Sequence, residues 1–282
     1  MFKSATKLAG LFLLLVLSFV YTNRVFDSAK KSDPVMKNII SYKEKHDTSG
    51  VEPIIKDDEM VIGYAGLTVN ADASYNNMKD DDKFSSDKVV FDKALPKTTI
   101  SKTYDYYIKQ GNPSLKNVAI VFKISNSNDI DNLLKSVAKA NVNVSFFADG
   151  AWLEKNVETA FSIVNLNCEL YNLGYNGKYE KSLISTTNNL IESISLKNSN
   201  FCLNDNKNDE EKEICKSKKM HTIIPTLKDP SIGELKSGLV KGAIISYDAN
   251  TFDAKTLSLI VKAITSKGYN VTSLSEVVNE TK

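Results

Sequence analysis

Two histidines, His46 and His221, are the whole imidazole supply of this 282-residue chain, and they stand far apart in sequence. A metal site built on imidazole needs ligands that converge, as in H-E-x-x-H, and no such spacing occurs. The chain also lacks a G-x-S-x-G nucleophile turn and a G-x-x-x-x-G-K-[ST] phosphate loop. Its three cysteines, Cys168, Cys202 and Cys215, form an odd set. Cys202 and Cys215 bracket the polar insertion 204–213 and could close a disulfide in an oxidising compartment. Without C-x-x-C spacing, the reading favoured is three thiols buried as small apolar groups. Aromatic rings are better supplied. Phe147, Trp152, Tyr171, Tyr175, Tyr179 and Tyr247 fall near the ends of predicted strands, where they can either stack on a ligand or pack. Trp152, just after a strand turn, is the expected exposed platform, with Tyr175 and Tyr247 as further candidates for substrate binding.

The elements that would position these groups alternate. Strands are predicted over 118–124, 142–148, 169–173, 200–203, 221–225, 243–247 and 269–273, with amphipathic helices between them. Ile130, Leu133, Leu134 and Val137 recur at i, i+3, i+4 and i+7, as do Leu257, Ile260, Val261 and Ile264, with Gly268 as a C-terminal cap. Strand–helix alternation implies parallel β-α units, and spacing alone leaves a barrel and a doubly wound sheet both open. Phe146 and Phe147 are neighbours on one strand, so one should face the inside of the sheet and the other the helices. Upstream, residues 25–58 read as a polar stalk with one short helix near 36–45. Residues 59–116 read as a small α+β extension, with a strand pair over 60–69, a helix over 72–79 and a strand at 89–91.

Hydrophobic residues make up 42% of the chain and charged ones 25%, ordinary values for a protein with a sizeable core. The net charge of +2 calls for no polyanionic partner. Of 36 basic residues only Arg24 is arginine, so the planar guanidinium forks of nucleic-acid readers are missing and that class is excluded. Lys3 and Lys7 precede an uncharged run, 8–23, centred on Leu11–Leu17. As a helix the run is roughly 24 Å long, short of the roughly 30 Å hydrocarbon core unless its flanking cations snorkel. With no small-x-small cleavage site after it, residues 1–24 are expected to be a signal anchor, or a signal peptide if cleaved. Either places the rest on the extracytoplasmic face of the cell membrane or outside the cell.

Several segments resemble the polysaccharide deacetylase (NodB-homology) family over 117–280. Ala140–Trp152 is similar to that family's K-Y-N-V-K-A-T-F-F-x-x-G stretch, Lys241–Tyr247 to its K-P-G-x-I-x-L-x-H strand, and Lys267–Glu276 to its closing G-Y-x-x-V-T-L-S-E. Ile62–Leu67, Ser74–Lys79 and Gly111–Pro113 look like the N-terminal extension of a sporulation-associated branch. The resemblance implies a distorted (β/α) barrel and, in active members, a divalent metal held by aspartate and two histidines beside a base aspartate.

Where the family carries T-F-D-D-G, this chain reads Val121-Phe122-Lys123-Ile124-Ser125. Lys123 stands for the base and Ile124 for the first ligand, while Leu173 and Gly177 stand for the histidines of G-H-E-I-G-N-H-x-x-x-H. The late catalytic histidine falls at Asp248, or at Tyr247 if the register slips by one. None of these can do its counterpart's work, so no cofactor and no catalytic residue are expected. Asp149, Asp205 and Asp248 near the mouth are read as solvated loop acids, and His221 as a packing residue at a strand edge. The resemblance implies an envelope protein, inactive and binding cell-wall glycan or an envelope partner. The alternative is an active hydrolase of N-acetyl groups with a non-standard site.

Overall fold

The computed structural model describes residues 16, 18, 30–125 and 130–281, and these fall into two compact units. The anchor segment lies outside the described residues apart from Val16 and Ser18, and none of the described helices is long and apolar enough to cross a membrane.

The smaller unit comprises described residues 30–49 and 66–94. Its first helix, α1 (Pro34–His46), starts at Asp33, whose carboxylate accepts the N–H of Val35, with Pro34 where a helix tolerates a missing donor. In the larger unit follow β1 (Ile54–Lys56) and β2 (Glu59–Val61), and then, back in the smaller one, β3 (Gly66–Val69), α2 (Ala71–Met78) and β4 (Phe91–Ala94). Val35 and Ile39 of α1 pack on Val69 and Met78. Residues 34–46 are therefore core-forming and not a stalk, because two apolar residues one turn apart are enough to bind the helix to a sheet. The predicted strand pair over 60–69 is also corrected. Its halves pair elsewhere, β2 with β1 and β5 (Tyr107–Gln110), and β3 with β4. His46 stacks on Tyr42 with ring centroids 3.7 Å apart.

The larger unit, 50–65 and 95–281, carries the alternation. Its elements are β6 (Asn117–Ile124), α3 (Asp131–Ala140), β7 (Ser145–Ala148), α4 (Gly150–Lys155), α5 (Val157–Asn165), β8 (Glu169–Asn172), α6 (Lys181–Ser195) and β9 (Phe201–Leu203). There follow α7 (Asp209–Ser217), β10 (His221–Ile223), β11 (Leu227–Lys228), α8 (Ile232–Gly238), β12 (Ile244–Asp248), α9 (Leu257–Thr265), β13 (Asn270–Thr272) and α10 (Leu274–Val277). All seven predicted strands of this region are present. Among the described residues they belong to one eleven-stranded sheet in the order β1-β2-β5-β10-β9-β8-β7-β6-β12-β11, with β13 beside the start of β6. Every pairing except β1 with β2 is parallel. The sheet curls into a half-barrel, far enough that Gln110 bridges to Ala243 and Gly111 donates to the Gly242 carbonyl at 2.8 Å.

Side-chain alternation sorts the sheet into two faces. Val118, Ile120, Phe122 and Ile124 of β6 join the helices in one core, whereas Ala119 and Val121 join Phe147, Tyr171 and Ile223 inside the curl. Phe146 and Phe147 divide in the same way, both fully buried. The helical stripes behave as read, with Leu133, Val137, Leu257, Ile260 and Ile264 buried, and Gly268 at φ +77° just after α9. The structure joins Cys202 to Cys215, overturning the reading of three thiols, and leaves Cys168 as a buried free thiol. The bridge ties α7 to β9, a proximity that spacing along the chain does not encode.

Candidate functional site

Parallel β-α units expose the C-terminal ends of their strands at one rim, where such folds gather chemistry. Lys123 ends the inward-facing row of β6, and its Nζ donates to Asp205 Oδ2, just beyond β9, at 2.7 Å. The same ammonium lies 3.9 Å from Asp248 at the end of β12. Lys228 of β11 reaches Asp205 at 3.0 Å from the other side. Burial pushes the Asp205 carboxyl up, but hydrogen bonds from the two lysines outweigh it and hold the acid below the usual carboxylate range. Asp205 is thus an ion-paired, mostly buried group and not the solvated loop acid that its sequence neighbours suggest. Asp248 is partly exposed, and its carboxylate caps the following turn through the N–H of Asn250.

Asp149 is also corrected. It is 2% exposed, and its two oxygens accept three backbone N–H groups, from Ala151 at 2.8 Å, Asn176 at 2.9 Å and Gly177 at 2.8 Å. One carboxylate therefore starts α4 and pins the loop after β8. Leu173 at the start of that loop packs against the inner core, while Gly177 is exposed at φ +69°. Ile124 is fully buried and turned to the helix layer, away from Lys123, as alternation along β6 requires.

The aromatic candidates fare unevenly. Trp152, expected to be an exposed platform, is 1% exposed in the core between sheet and helices. It stands on the first turn of α4, where Ala151, Trp152 and Leu153 are all buried. Tyr247 is buried between Phe122 and Phe252, its hydroxyl donating to the Pro230 carbonyl at 3.3 Å. Tyr175 alone of the three keeps a partly open ring, and its hydroxyl donates to Glu154 at 2.8 Å. His221 stacks on Tyr104 with centroids 4.4 Å apart. Lys228 had no sequence signal, since its partner lies on a different β-α unit.

Ammonium, isoleucine, leucine and glycine offer no lone pair to a metal, and among the described residues no three His, Cys, Asp or Glu side chains are placed to hold one. The residues present do not fit the divalent ion that the resemblance implies for active members of that family.

Solved structures show which fold the chain shares. The wild-type BA3943 protein of Bacillus anthracis, described as a CE4 family pseudoenzyme, superposes over 88% of this chain and 96% of its own, with TM-score 0.68 and 22% identity. The fold is that of the CE4 carbohydrate esterases. The Bc1960 peptidoglycan N-acetylglucosamine deacetylase shares the CE4 fold over 62% of this chain and 94% of its own, with TM-score 0.54 and 14% identity. In sequence, the chain is 24% identical over 274 residues to Uncharacterized protein YlxY of Bacillus subtilis (strain 168), covering 89% of this chain and 85% of that one. No family model matches the chain. A mutant of BA3943 is described as a pseudoenzyme with restored enzymatic activity. Proteins of this fold thus include a deacetylase and a pseudoenzyme.

Proposed function

We propose that this protein is a catalytically silent CE4-fold module of the cell envelope that holds N-acetylated cell-wall glycan without cleaving it. The observation that carries this reading is the Lys123–Asp205 ion pair. Amide hydrolysis on this fold needs a base that can take a proton from water and an electrophile that polarises the carbonyl. At the base position stands a lysine whose Nζ donates to a carboxylate at 2.7 Å, so it offers no free acceptor for a proton. At the ligand positions Ile124, Leu173 and Gly177 supply no donor. The solved neighbours support the reading, since they include peptidoglycan deacetylases and a pseudoenzyme. An anchor in residues 1–24 would hold the module at the outer membrane surface, next to its polymer.

Acetate release from N-acetylated peptidoglycan fragments tests the proposal directly. Full-length protein supplied with zinc, cobalt or manganese should release none above the rate without protein, and should co-sediment with peptidoglycan. Acetate release that disappears in Lys123→Ala would overturn the silent-module reading in favour of an unorthodox hydrolase.

A further inference from the structure

The rim is filled by its own ion pairs, and a recess lies at the opposite end of the strands. A cavity of about 920 Å³ opens where β7, β8 and β9 begin. Pockets of this size ordinarily hold small ligands. Five asparagines line it, and four of them stand just before strands, Asn143 before β7, Asn167 before β8, and Asn198 and Asn200 before β9, while Asn279 accepts from Thr281. All four are exposed, and among the described residues none of their side-chain amides has a hydrogen-bond partner.

Primary amides offer two donors and an acceptor each, which suits a neutral ligand rich in hydroxyl and amide groups. Two carboxylates in the lining, Glu169 and Glu280, stand against one ammonium, Lys197, so the recess has no excess of positive charge to draw an anion. Both are fixed in place. Glu169 accepts from Ser145 at 2.8 Å and from Ser275, and Glu280 accepts the Ile100 N–H at 3.0 Å. Leu196 stands on the lining 88% exposed, in left-handed backbone at φ +57° where α6 ends. Its side chain gives the recess an aliphatic surface matched to the C–H face of a sugar ring, beside amides matched to hydroxyl and acetamido groups.

We propose that this recess binds a neutral N-acetylated oligosaccharide, a placement that rests on the glycan-binding reading above and puts the glycan at the end of the barrel opposite the ion-paired rim. Titration calorimetry of the full-length protein with chitotetraose tests it. The recess variants are Asn198→Ala/Asn200→Ala and Leu196→Gly. The first removes exposed amides with no partner, and the second places the residue best suited to positive φ, so both should fold with an unchanged or higher Tm. The rim variants are Lys123→Met and Asp248→Asn. The asparagine pair should weaken binding about tenfold, roughly threefold for each lost hydrogen bond. Leu196→Gly should weaken it measurably, and the rim variants should bind as the parent does. Rim variants that lose as much affinity as the recess variants, or recess variants that lose none, would overturn the placement and leave the glycan reading standing. A parent protein that binds no chitotetraose would overturn both.

Discussion

The Asp149 carboxylate accepts the backbone N–H of Gly177 at 2.8 Å across 28 residues of chain. Gly177 stands where the resembled family places a metal-binding imidazole, yet here the position contributes its main chain to a buried acid. The loop after β8 is therefore held by the scaffold itself, with no need of an ion to order it.

Gly177 can be tested by Gly177→Ala. A Cβ there would meet nothing within 4 Å, so the whole effect comes from φ +69°. The variant should lose about 1 kcal/mol. Asp149→Ala strands three donors and should lose roughly 3 kcal/mol or more. Chemical denaturation measures both, and an Asp149→Ala loss smaller than that of Gly177→Ala would contradict the pinning role.

A double-mutant cycle on Lys123→Met and Asp205→Asn should reveal a coupling of roughly 2–3 kcal/mol, because their side chains are only 17% and 13% exposed. The folded-state acid is held low, so its contribution is present above the unfolded carboxylate range and is lost as pH falls through the folded value. The coupling should therefore shrink toward pH 2 and hold steady from pH 5 to 8. A coupling near zero at pH 7 would show that Lys228 alone satisfies Asp205.

His221 is held down to about 4, mainly by burial, against a backbone hydrogen bond at Thr103 that acts the other way. The unfolded chain takes up the proton near pH 6.5, well before the folded protein does. Stability is thus complete above pH 6.5 and falls toward pH 4 by roughly 1.4 kcal/mol per unit, about 3 kcal/mol in all. His221→Phe, which can still stack on Tyr104, should flatten that limb. Parallel Tm profiles of parent and variant between pH 7 and 4 would refute the assignment.

The Cys202–Cys215 bridge closes a short loop, 13 residues in sequence separation. Replacing both cysteines by alanine should lower stability by about 3 kcal/mol. Thiol labelling of denatured, unreduced protein should find a single reactive cysteine, Cys168. Three labelled thiols would show that the bridge does not form.

What the sequence settled by itself is what depends on near neighbours. The strand at 118–124 was visible as an apolar run, and the faces of α3 and α9 as i, i+3, i+4 stripes, because burial repeats with the period of the element. The opposite burial of Phe146 and Phe147 follows from the pleat alone, and the loss of ligand chemistry at Ile124, Leu173 and Gly177 from residue type alone. Tertiary structure decided everything that joins separate β-α units. Lys123 meets Asp205 across 82 residues, Asp149 meets Gly177 across 28, and Trp152 sinks into the core because α5 and α6 pack against α4. It also assigned residues 34–46 to a packed unit in place of a stalk. No local period carries such information, since the partners of a side chain at a strand end are set by which strands lie beside it. That order is fixed only when the sheet curls and buries both of its faces.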